Sequence, residues 1–329
     1  MISRRQIVLA PCAAVLAAPL AAAAQQPAKV HRVGFLSLLP RVQALAHISA
    51  LQEGLRALGY IEGQNIVLEY RFADEKADRL ADLAAELVRL KVDVIVTGFG
   101  TLPALAAKKA TSAIPVVFSV VADPVRSGVV ASLARPGGNI TGPSSVPAGL
   151  VSKRLELLRE IAPKLSRVVV LFNPATPASI QGWAEVKVAA ENLGIQPQPL
   201  EVRASQDFES VLAAASRIRA DALLTLSDPL TIAHRAQILD FAAKNRLPAM
   251  YGLKDFAEAG GLISYGANYD EAYRRTAGYV VRILKGARPA DLPVEQPTTF
   301  ELVVNLKTAR GLGITIPQSI LLRATTVIE

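Results

Sequence analysis

Short apolar runs alternate with longer amphipathic segments along the chain, and this alternation predicts an α/β fold. In the first third, four apolar runs predict buried strands, at 33–37, 65–70, 92–97 and 114–119. Three segments with apolar residues at helical spacing predict the helices between them, at 42–58, 78–90 and 101–111. The first of these helices is expected to bury one face, formed by Leu45, Ile48, Leu51, Leu55 and Leu58. Strands that alternate with helices form a parallel sheet covered by helices on both faces.

The stretch 114–145 is expected to end the first group of elements and lead into the next. After its strand come a polar loop with Asp123 and a small helix. A Pro-Gly-Gly-Asn turn follows, and a second short strand is predicted at 139–142.

The same order of patterns occurs a second time in the middle of the chain. Five early segments are matched in order by later ones: 33–36 by 168–171, 58–59 by 193–194, 92–95 by 220–223, 114–118 by 247–251 and 137–140 by 260–263. Any two βαβ runs share some likeness, but five pairs in one order favour an internal duplication. The chain is therefore expected to form two α/β lobes of similar build.

The duplication predicts two doubly wound parallel-sheet lobes joined by a three-crossover hinge. Crossovers are expected in three short loops rich in Gly, Pro, Ser or Thr, at 142–147, 264–266 and 297–300. The N-terminal lobe would comprise 30–142 plus 265–297, including a returned helix at 269–284. The C-terminal lobe would comprise 143–264 plus 298–329. Ligands bind beyond the carboxyl ends of such strands, so a cleft between the lobes can close on a ligand by hinge motion.

An export signal is expected at 1–24, where charge, an apolar run and a small-residue cleavage site follow in that order. Arg4 and Arg5 supply the charge, and cleavage is predicted after Ala24. A twin-arginine signal and a Sec signal are both compatible with this segment, and the alternative is an ordinary apolar N-terminal helix. Export to the periplasm would remove Cys12, the single cysteine, and leave the mature chain without disulfide or thiol chemistry.

Composition and motifs argue against several classes of function. The formal net charge is +8, but Lys and Arg are scattered among acidic residues without a basic stripe, so no nucleic-acid partner is predicted. The histidines are too far apart for a metal site; His31 and His47 are expected in surface or loop positions and His234 on a helix surface. No Walker loop or G-x-S-x-G elbow is present, and no cofactor is predicted.

The glycine-containing segment 98–103 follows a predicted strand and begins a helix. It partly resembles a dinucleotide fingerprint, but the acidic residue that such sites carry roughly 20 residues further on is missing. A turn of this kind leaves free N–H groups at the positive end of the helix dipole, which suits a carboxylate. The alternative is a tight turn with no ligand contact.

The candidate site consists of side chains at the predicted carboxyl ends of the strands and near one crossover. They are Ser37, Phe99, Thr101, Ser119, Asp123, Asn173, Thr176, Ser227, Asp228, Tyr251, Tyr265 and Asn268. Hydroxyls, amides, two carboxylates and aromatic rings suit the recognition of a small polar or zwitterionic ligand by hydrogen bonds. They lack a nucleophile–base pair, so no enzyme activity is predicted. The two Asp residues also fit helix N-caps, and Phe99 and Tyr251 also fit core or rim positions.

Five runs of the sequence resemble those of ABC-transporter substrate-binding proteins of the tryptophan/tyrosine-binding (TrpX-like) type. They are DPVRSG at 123–128, RPGGNITG at 135–142, FAEAGGLISYG at 256–266, ILKGARPADLP at 283–293 and FELVVNLKTA at 300–309. The resemblance implies a type I periplasmic binding protein fold and delivery of a ligand to an ABC permease in the inner membrane. By analogy with related amino-acid binders, Thr101 and Ser119 would face a ligand carboxylate, and Asp228 or Asp123 an ammonium group.

The expected function is therefore that of an exported, monomeric solute-binding component of an ABC transporter. Its small-molecule ligand would be an amino acid or a related small carboxylate, with aromatic amino acids among the candidates. Two alternatives stay open at this point: a ligand-sensing module for a membrane receptor, and an exported α/β hydrolase-like enzyme.

Overall fold

A computed structural model describes residues 29–145 and 149–329 of the chain. The expected export signal at 1–24, with Cys12, lies outside the described residues, as does Pro147 in the first expected crossover. Within the described ranges, no helix combines the length and the apolar character needed to span a membrane.

The first lobe is built on a parallel sheet of five strands. They are β1 (His31–Ser37), β2 (Ile66–Phe72), β3 (Val94–Phe99), β4 (Val116–Val120) and β5 (Ile140–Thr141). Their order in the sheet is β2-β1-β3-β4-β5, and every neighbouring pair is parallel. The helices between them are α1 (Arg41–Ala57), α2 (Leu80–Arg89), preceded by a 3₁₀ turn at Ala77–Arg79, and α3 (Thr101–Ala110).

The second lobe contains a sheet of seven strands. They are β6 (Arg167–Phe172), β7 (Gln196–Glu201), β8 (Ala222–Thr225), β9 (Ala249–Tyr251), β10 (Ile263–Ala267), β11 (Phe300–Asn305) and β12 (Thr326–Ile328). Their order is β12-β11-β10-β9-β8-β6-β7. The part β7-β6-β8-β9-β10 repeats the order of the first sheet, as the duplicated sequence pattern predicts.

Nine helices follow in chain order within the described residues. They are α4 (Leu150–Ile161), α5 (Pro177–Leu193), α6 (Asp207–Ala215), α7 (Pro229–Ala233), α8 (Arg235–Lys244), α9 (Lys254–Glu258), α10 (Tyr269–Leu284), α11 (Leu306–Leu312) and α12 (Gln318–Arg323). A 3₁₀ turn at Pro289–Asp291 follows α10. Helix α10 packs beside α1 of the first lobe, where Gly54 lies close to Ala277 and a Cβ at Gly54 would be 2.8 Å from the Ala277 Cβ.

The lobes are connected by three neighbouring segments of chain. The first leaves β5 through Gly142, and the Ser144 N–H donates to the carbonyl of Glu295 in the third segment at 2.8 Å. The second begins at Asn268, later than the expected 264–266, because β10 continues to pair with β11 up to Ala267. That pairing is antiparallel, since the chain leaves the second sheet along β10 and re-enters it from the hinge side along β11. The lobe boundaries drawn from the sequence stay a prediction.

Three sequence-based expectations about local structure are wrong. Leu45 and Leu58 of α1 are 48% and 46% exposed, because α10 covers the neighbouring face of that helix instead. Residues 124–128 form turns and no helix: the Asp123 carboxylate accepts the N–H of Arg126 at 2.9 Å, as a helix cap would, but Gly128 has a φ of 73° and ends the helical conformation. His47 is only 5% exposed and stacks on Tyr273 with ring centroids 4.9 Å apart, because α10 packs over it.

Candidate functional site

A cavity of about 160 Å³ lies between the lobes, beyond the carboxyl ends of the parallel strands. Both lobes contribute to its wall, and the hinge contributes Ser145 and Tyr269. Six of the twelve side chains selected from the sequence line it: Phe99, Thr101, Asp123, Thr176, Ser227 and Asp228. The cavity is therefore the place where the predicted site residues come together.

The first-lobe wall is built around the beginning of helix α3. Gly100 precedes the helix with φ of 99° and supplies no side-chain cap, so the first turn of α3 has no side-chain acceptor from its own cap residue. A Cβ at Gly100 would lie 3.3 Å from the Pro229 side chain of the other lobe. Thr101 is buried, and the ring of Phe99 packs against Tyr269 at 5.2 Å between centroids. Free N–H groups at a helix N-terminus favour an anionic ligand group here.

The second-lobe wall is formed by the beginnings of helices α5 and α7. Thr176 caps α5, and its hydroxyl lies 2.8 Å from the Ser179 hydroxyl. Asp228 caps α7 in a capping box: Oδ1 accepts the N–H of Thr231 at 2.9 Å, and the Thr231 hydroxyl accepts the N–H of Asp228 at 3.0 Å. Burial raises the pKa of Asp228 to about 6, although the backbone N–H groups of Thr231 and Leu230 oppose this shift.

Three charged residues of the cavity wall were not selected from the sequence: Arg126 after β4, Arg154 on α4 and Glu185 on α5. Arg154 is 3% exposed, and burial lowers the pKa of its guanidinium. Burial raises the pKa of Glu185, while the N–H of Gly149 and the charge of Arg154 lower it. The sequence did contain a signal for Arg154, because it lies on the apolar stripe of α4 between Leu150 and Leu158.

Ser37, Ser119 and Asn173 are buried and do not line the cavity. The Ser37 hydroxyl accepts the N–H of Leu39 at 3.1 Å. The Ser119 hydroxyl is buried and has no hydrogen-bond partner among the described residues. Asn173 accepts the N–H of Ala175 at 2.9 Å and therefore holds the turn that leads to α5.

Tyr251, Tyr265 and Asn268 also lie outside the cavity wall. Tyr251 is fully buried, stacks on Phe256 at 4.7 Å, and borders a separate groove. Tyr265 supports the cavity indirectly, since its carbonyl accepts a hydrogen bond from Arg154 at 2.7 Å. Asn268 caps helix α10 by accepting the N–H of Glu271 at 2.9 Å.

Two α/β lobes around a ligand-sized cleft define a type I periplasmic binding protein, and the chain belongs to the ABC transporter substrate-binding protein family. The model of that family matches residues 36–328. Proteins of this family bind small molecules, work with ABC permeases and are typically extracytoplasmic.

Among curated relatives, a tyrosine-binding protein of Clostridioides difficile strain R20291 is 28% identical over 262 residues. The match spans 79% of this chain and 74% of the relative. Among solved structures, the ABC domain in complex with L-Trp from Streptococcus pneumonia is 26% identical, with a TM-score of 0.84 and coverage of 91% of this chain and 99% of that one.

A third similar structure is the ligand-free, open form of a substrate-binding protein with adhesive properties from Clostridium difficile. Its identity is also 26%, and the match covers 91% of this chain and 99% of that one, but its TM-score is 0.66. Since identity and coverage equal those of the L-Trp complex, the lower TM-score reflects a different arrangement in space. This chain therefore superposes more closely on the L-Trp complex than on the open form.

Proposed function

We propose that this protein captures an amino acid or a related small carboxylate in the interlobe cavity and delivers it to an ABC permease of the inner membrane. The observation that carries the proposal is a cavity closed by both lobes, with an uncapped helix N-terminus on one wall and buried charged groups of both signs on the other. Such a wall complements a small ligand with an anionic group and hydrogen-bond donors.

Similarity to a tyrosine-binding protein and to an L-Trp complex supports amino acids, including aromatic ones, as the first candidates. By analogy with amino-acid binders, Thr101 and the N-terminus of α3 would face the ligand carboxylate, whereas Ser119, the other residue of that analogy, is buried outside the cavity wall. Asp228 or Asp123 is the ammonium partner suggested by analogy with amino-acid binders. The protein acts as a monomer without catalysing a reaction, after export to the periplasm and cleavage behind Ala24.

A thermal-shift screen of the mature protein against the common amino acids and small carboxylates tests this function. A ligand present at about 100 times its dissociation constant stabilises the folded state by roughly 2.7 kcal/mol, which corresponds to a Tm increase on the order of 5 °C. We expect such a shift, rising with the logarithm of ligand concentration, for at least one amino acid.

Two outcomes would contradict the proposal. If sugars or nucleosides shift the Tm and no amino acid or carboxylate does, the ligand class is wrong. If NMR spectra show that the selected ligand is converted to a product during incubation with the protein, the non-catalytic role is wrong.

A further inference from the structure

The guanidinium of Arg154 is a buried cation whose recorded partners are both backbone carbonyls. Nε donates to the carbonyl of Tyr265 at 2.7 Å, and Nη2 donates to that of Gly252 at 3.5 Å. In the described part of the chain, no carboxylate oxygen lies within 4.0 Å of this guanidinium. Leaving a buried charge without a counter-ion is strongly unfavourable, so we expect an anionic group of a ligand to pair with the Arg154 guanidinium.

Two glycines, Gly252 and Gly266, lie beside this side chain at closely packed positions. A Cβ at Gly252 would lie 2.1 Å from Oγ of Ser227 and 2.9 Å from Nη2 of Arg154, and a Cβ at Gly266 would lie 2.0 Å from the carbonyl oxygen of Gly252 and 3.4 Å from Nη2. Neither glycine has a positive φ, so the requirement at both positions is space and not backbone conformation. The guanidinium thus occupies a cradle between the end of β9 and strand β10, at the edge of the cavity.

Glu185 supplies the opposite charge on the same wall without forming an ion pair with Arg154. Its Oε2 atom is shielded from solvent, and no hydrogen-bond partner for it exists within 29–145 and 149–329. The Arg154 charge and the backbone N–H groups of Gly149 and Val151 are close enough to lower its pKa against the effect of burial. Because Glu185 lines the cavity and its carboxylate is not fully satisfied by these groups, the carboxylate can accept a hydrogen bond from a ligand donor.

We propose that Arg154 and Glu185 together recognise the two charges of an α-amino acid: the guanidinium pairs with the carboxylate, and the Glu185 carboxylate accepts a hydrogen bond from the ammonium group. The inference rests on the proposed function and narrows its ligand class to α-amino acids. In an α-amino acid the carboxylate and the ammonium group are attached to the same carbon. This arrangement suits Arg154 and Glu185, which are neighbours on the cavity wall but do not form an ion pair with each other. Arginine is also suited to hold a carboxylate through two parallel hydrogen bonds.

This assignment differs in both parts from the one made by analogy, in which Thr101 and the N-terminus of α3 face the carboxylate and Asp228 or Asp123 holds the ammonium group. The oxygens of Asp228 already accept hydrogen bonds from the Thr231 N–H and the Ser179 hydroxyl, the latter at 3.4 Å. Glu185 has an oxygen without such a partner among the described residues, and it is therefore the better acceptor for a ligand ammonium.

Titration calorimetry with L-tyrosine and L-tryptophan tests the proposal on the wild-type protein, Arg154→Gln and Glu185→Gln. Each amino acid is compared with its deaminated acid and its decarboxylated amine. We expect the affinity for the amino acid to fall about tenfold to hundredfold in each variant, the range for a lost hydrogen bond between charged groups. Glu185→Gln should weaken the deaminated acid much less, and Arg154→Gln should weaken the decarboxylated amine much less.

Matched controls are Lys153→Gln on α4 and Glu191→Gln on α5, which change exposed or half-buried charges on the same helices and should bind as the wild type does. If Arg154→Gln fails to fold, the same comparison is made with Arg154→Lys and with the ratio of the wild-type affinities for the amino acid and for its decarboxylated amine. Binding of an amino acid within twofold of wild type by both Gln variants would overturn this inference and leave the proposed function standing. Failure of the wild type to bind any amino acid, with binding of another class, would overturn both.

Discussion

At the scale of single residues, Asp228 shows that a side chain lining the cleft can already be used in hydrogen bonds within the protein. Its carboxylate caps α7 and is surrounded by donors from Thr231, Leu230 and Ser179, yet its pKa is raised to about 6. Desolvation therefore outweighs these hydrogen bonds. The role of Asp228 as a helix cap is visible in the geometry, whereas a ligand contact needs a donor that competes with the cap.

The raised pKa of Asp228 predicts a pH-dependent loss of stability. The folded state holds the proton more tightly than the unfolded state, whose pKa is near 3.8, so this contribution is most favourable below that value. The stabilising contribution of Asp228 falls as the pH rises from about 4 to about 6 and is constant above that range. The total loss of unfolding free energy is on the order of 3 kcal/mol. Asp228→Asn keeps a capping oxygen and removes the titration.

Urea unfolding of both proteins between pH 4 and pH 7 measures this effect. The difference in unfolding free energy should grow with pH in favour of Asp228→Asn, by roughly 3 kcal/mol across the range. A difference that stays constant with pH would show that Asp228 does not titrate in this window.

Five of the twelve candidate residues follow from one rule about parallel sheets. Phe99, Thr101, Thr176, Ser227 and Asp228 lie at the end of a strand, in the loop after it or at the beginning of the next helix, and such positions face the cleft in both lobes. Arg154 and Glu185 could not be selected in this way, because they lie inside helices. Which helix face borders a cavity depends on how the lobes pack, and no local pattern records that.

At the scale of elements, the order of strands and helices could be predicted because buried strands are short, apolar and regularly separated. The two sheets then share one strand order, which the repeated sequence patterns anticipate. The antiparallel pairing of β10 with β11 could not be read locally, because it results from the path of the chain through the first lobe and back. The turns after Asp123 were mistaken for a helix because they begin with a cap-like hydrogen bond, whereas Gly128, with a φ of 73°, ends them after one turn.

Gly142 at the first crossover is the element-level feature most sensitive to substitution. Its φ is 148°, and a Cβ there would lie 2.0 Å from the backbone oxygen of Phe118 in β4. Gly142→Ala is therefore expected to lower the unfolding free energy by about 3 kcal/mol or more, because rigid backbone atoms must move.

Gly138→Ala is the matched control for this prediction. Gly138 has φ of 67° in the same segment, but a Cβ there would meet no atom within 4 Å. Only the backbone conformation is penalised, by about 1 kcal/mol. Equal losses for the two variants in urea unfolding would show that contact with β4 does not decide the effect.

At the scale of the whole molecule, the lobes touch on the rim of the cleft as well as around the cavity. Glu75 follows β2 in the first lobe, and its carboxylate accepts a hydrogen bond from the Ser205 hydroxyl of the second lobe. The same oxygen lies 3.1 Å from Nε2 of His234, whose ring stacks on Phe208 at 4.2 Å. His234, which was expected on a helix surface, thus contacts Glu75 of the other lobe.

The contacts of Glu75 exist only when the lobes are close together, so they should stabilise the closed form without stabilising either lobe alone. A partly exposed hydrogen bond between side chains contributes about 0.5–1 kcal/mol, which corresponds to a roughly two- to fivefold change in an equilibrium constant. Glu75→Ala should therefore increase the dissociation rate of the amino acid selected by the thermal-shift screen about two- to fivefold, as measured by stopped-flow fluorescence. Its unfolding free energy in the absence of ligand should change little.

Glu86→Ala is the control, because Glu86 pairs with Arg71 at 2.7 Å within the first lobe and should leave the dissociation rate unchanged. Equal rates for Glu75→Ala and Glu86→Ala would mean that the rim contact does not hold the cleft closed.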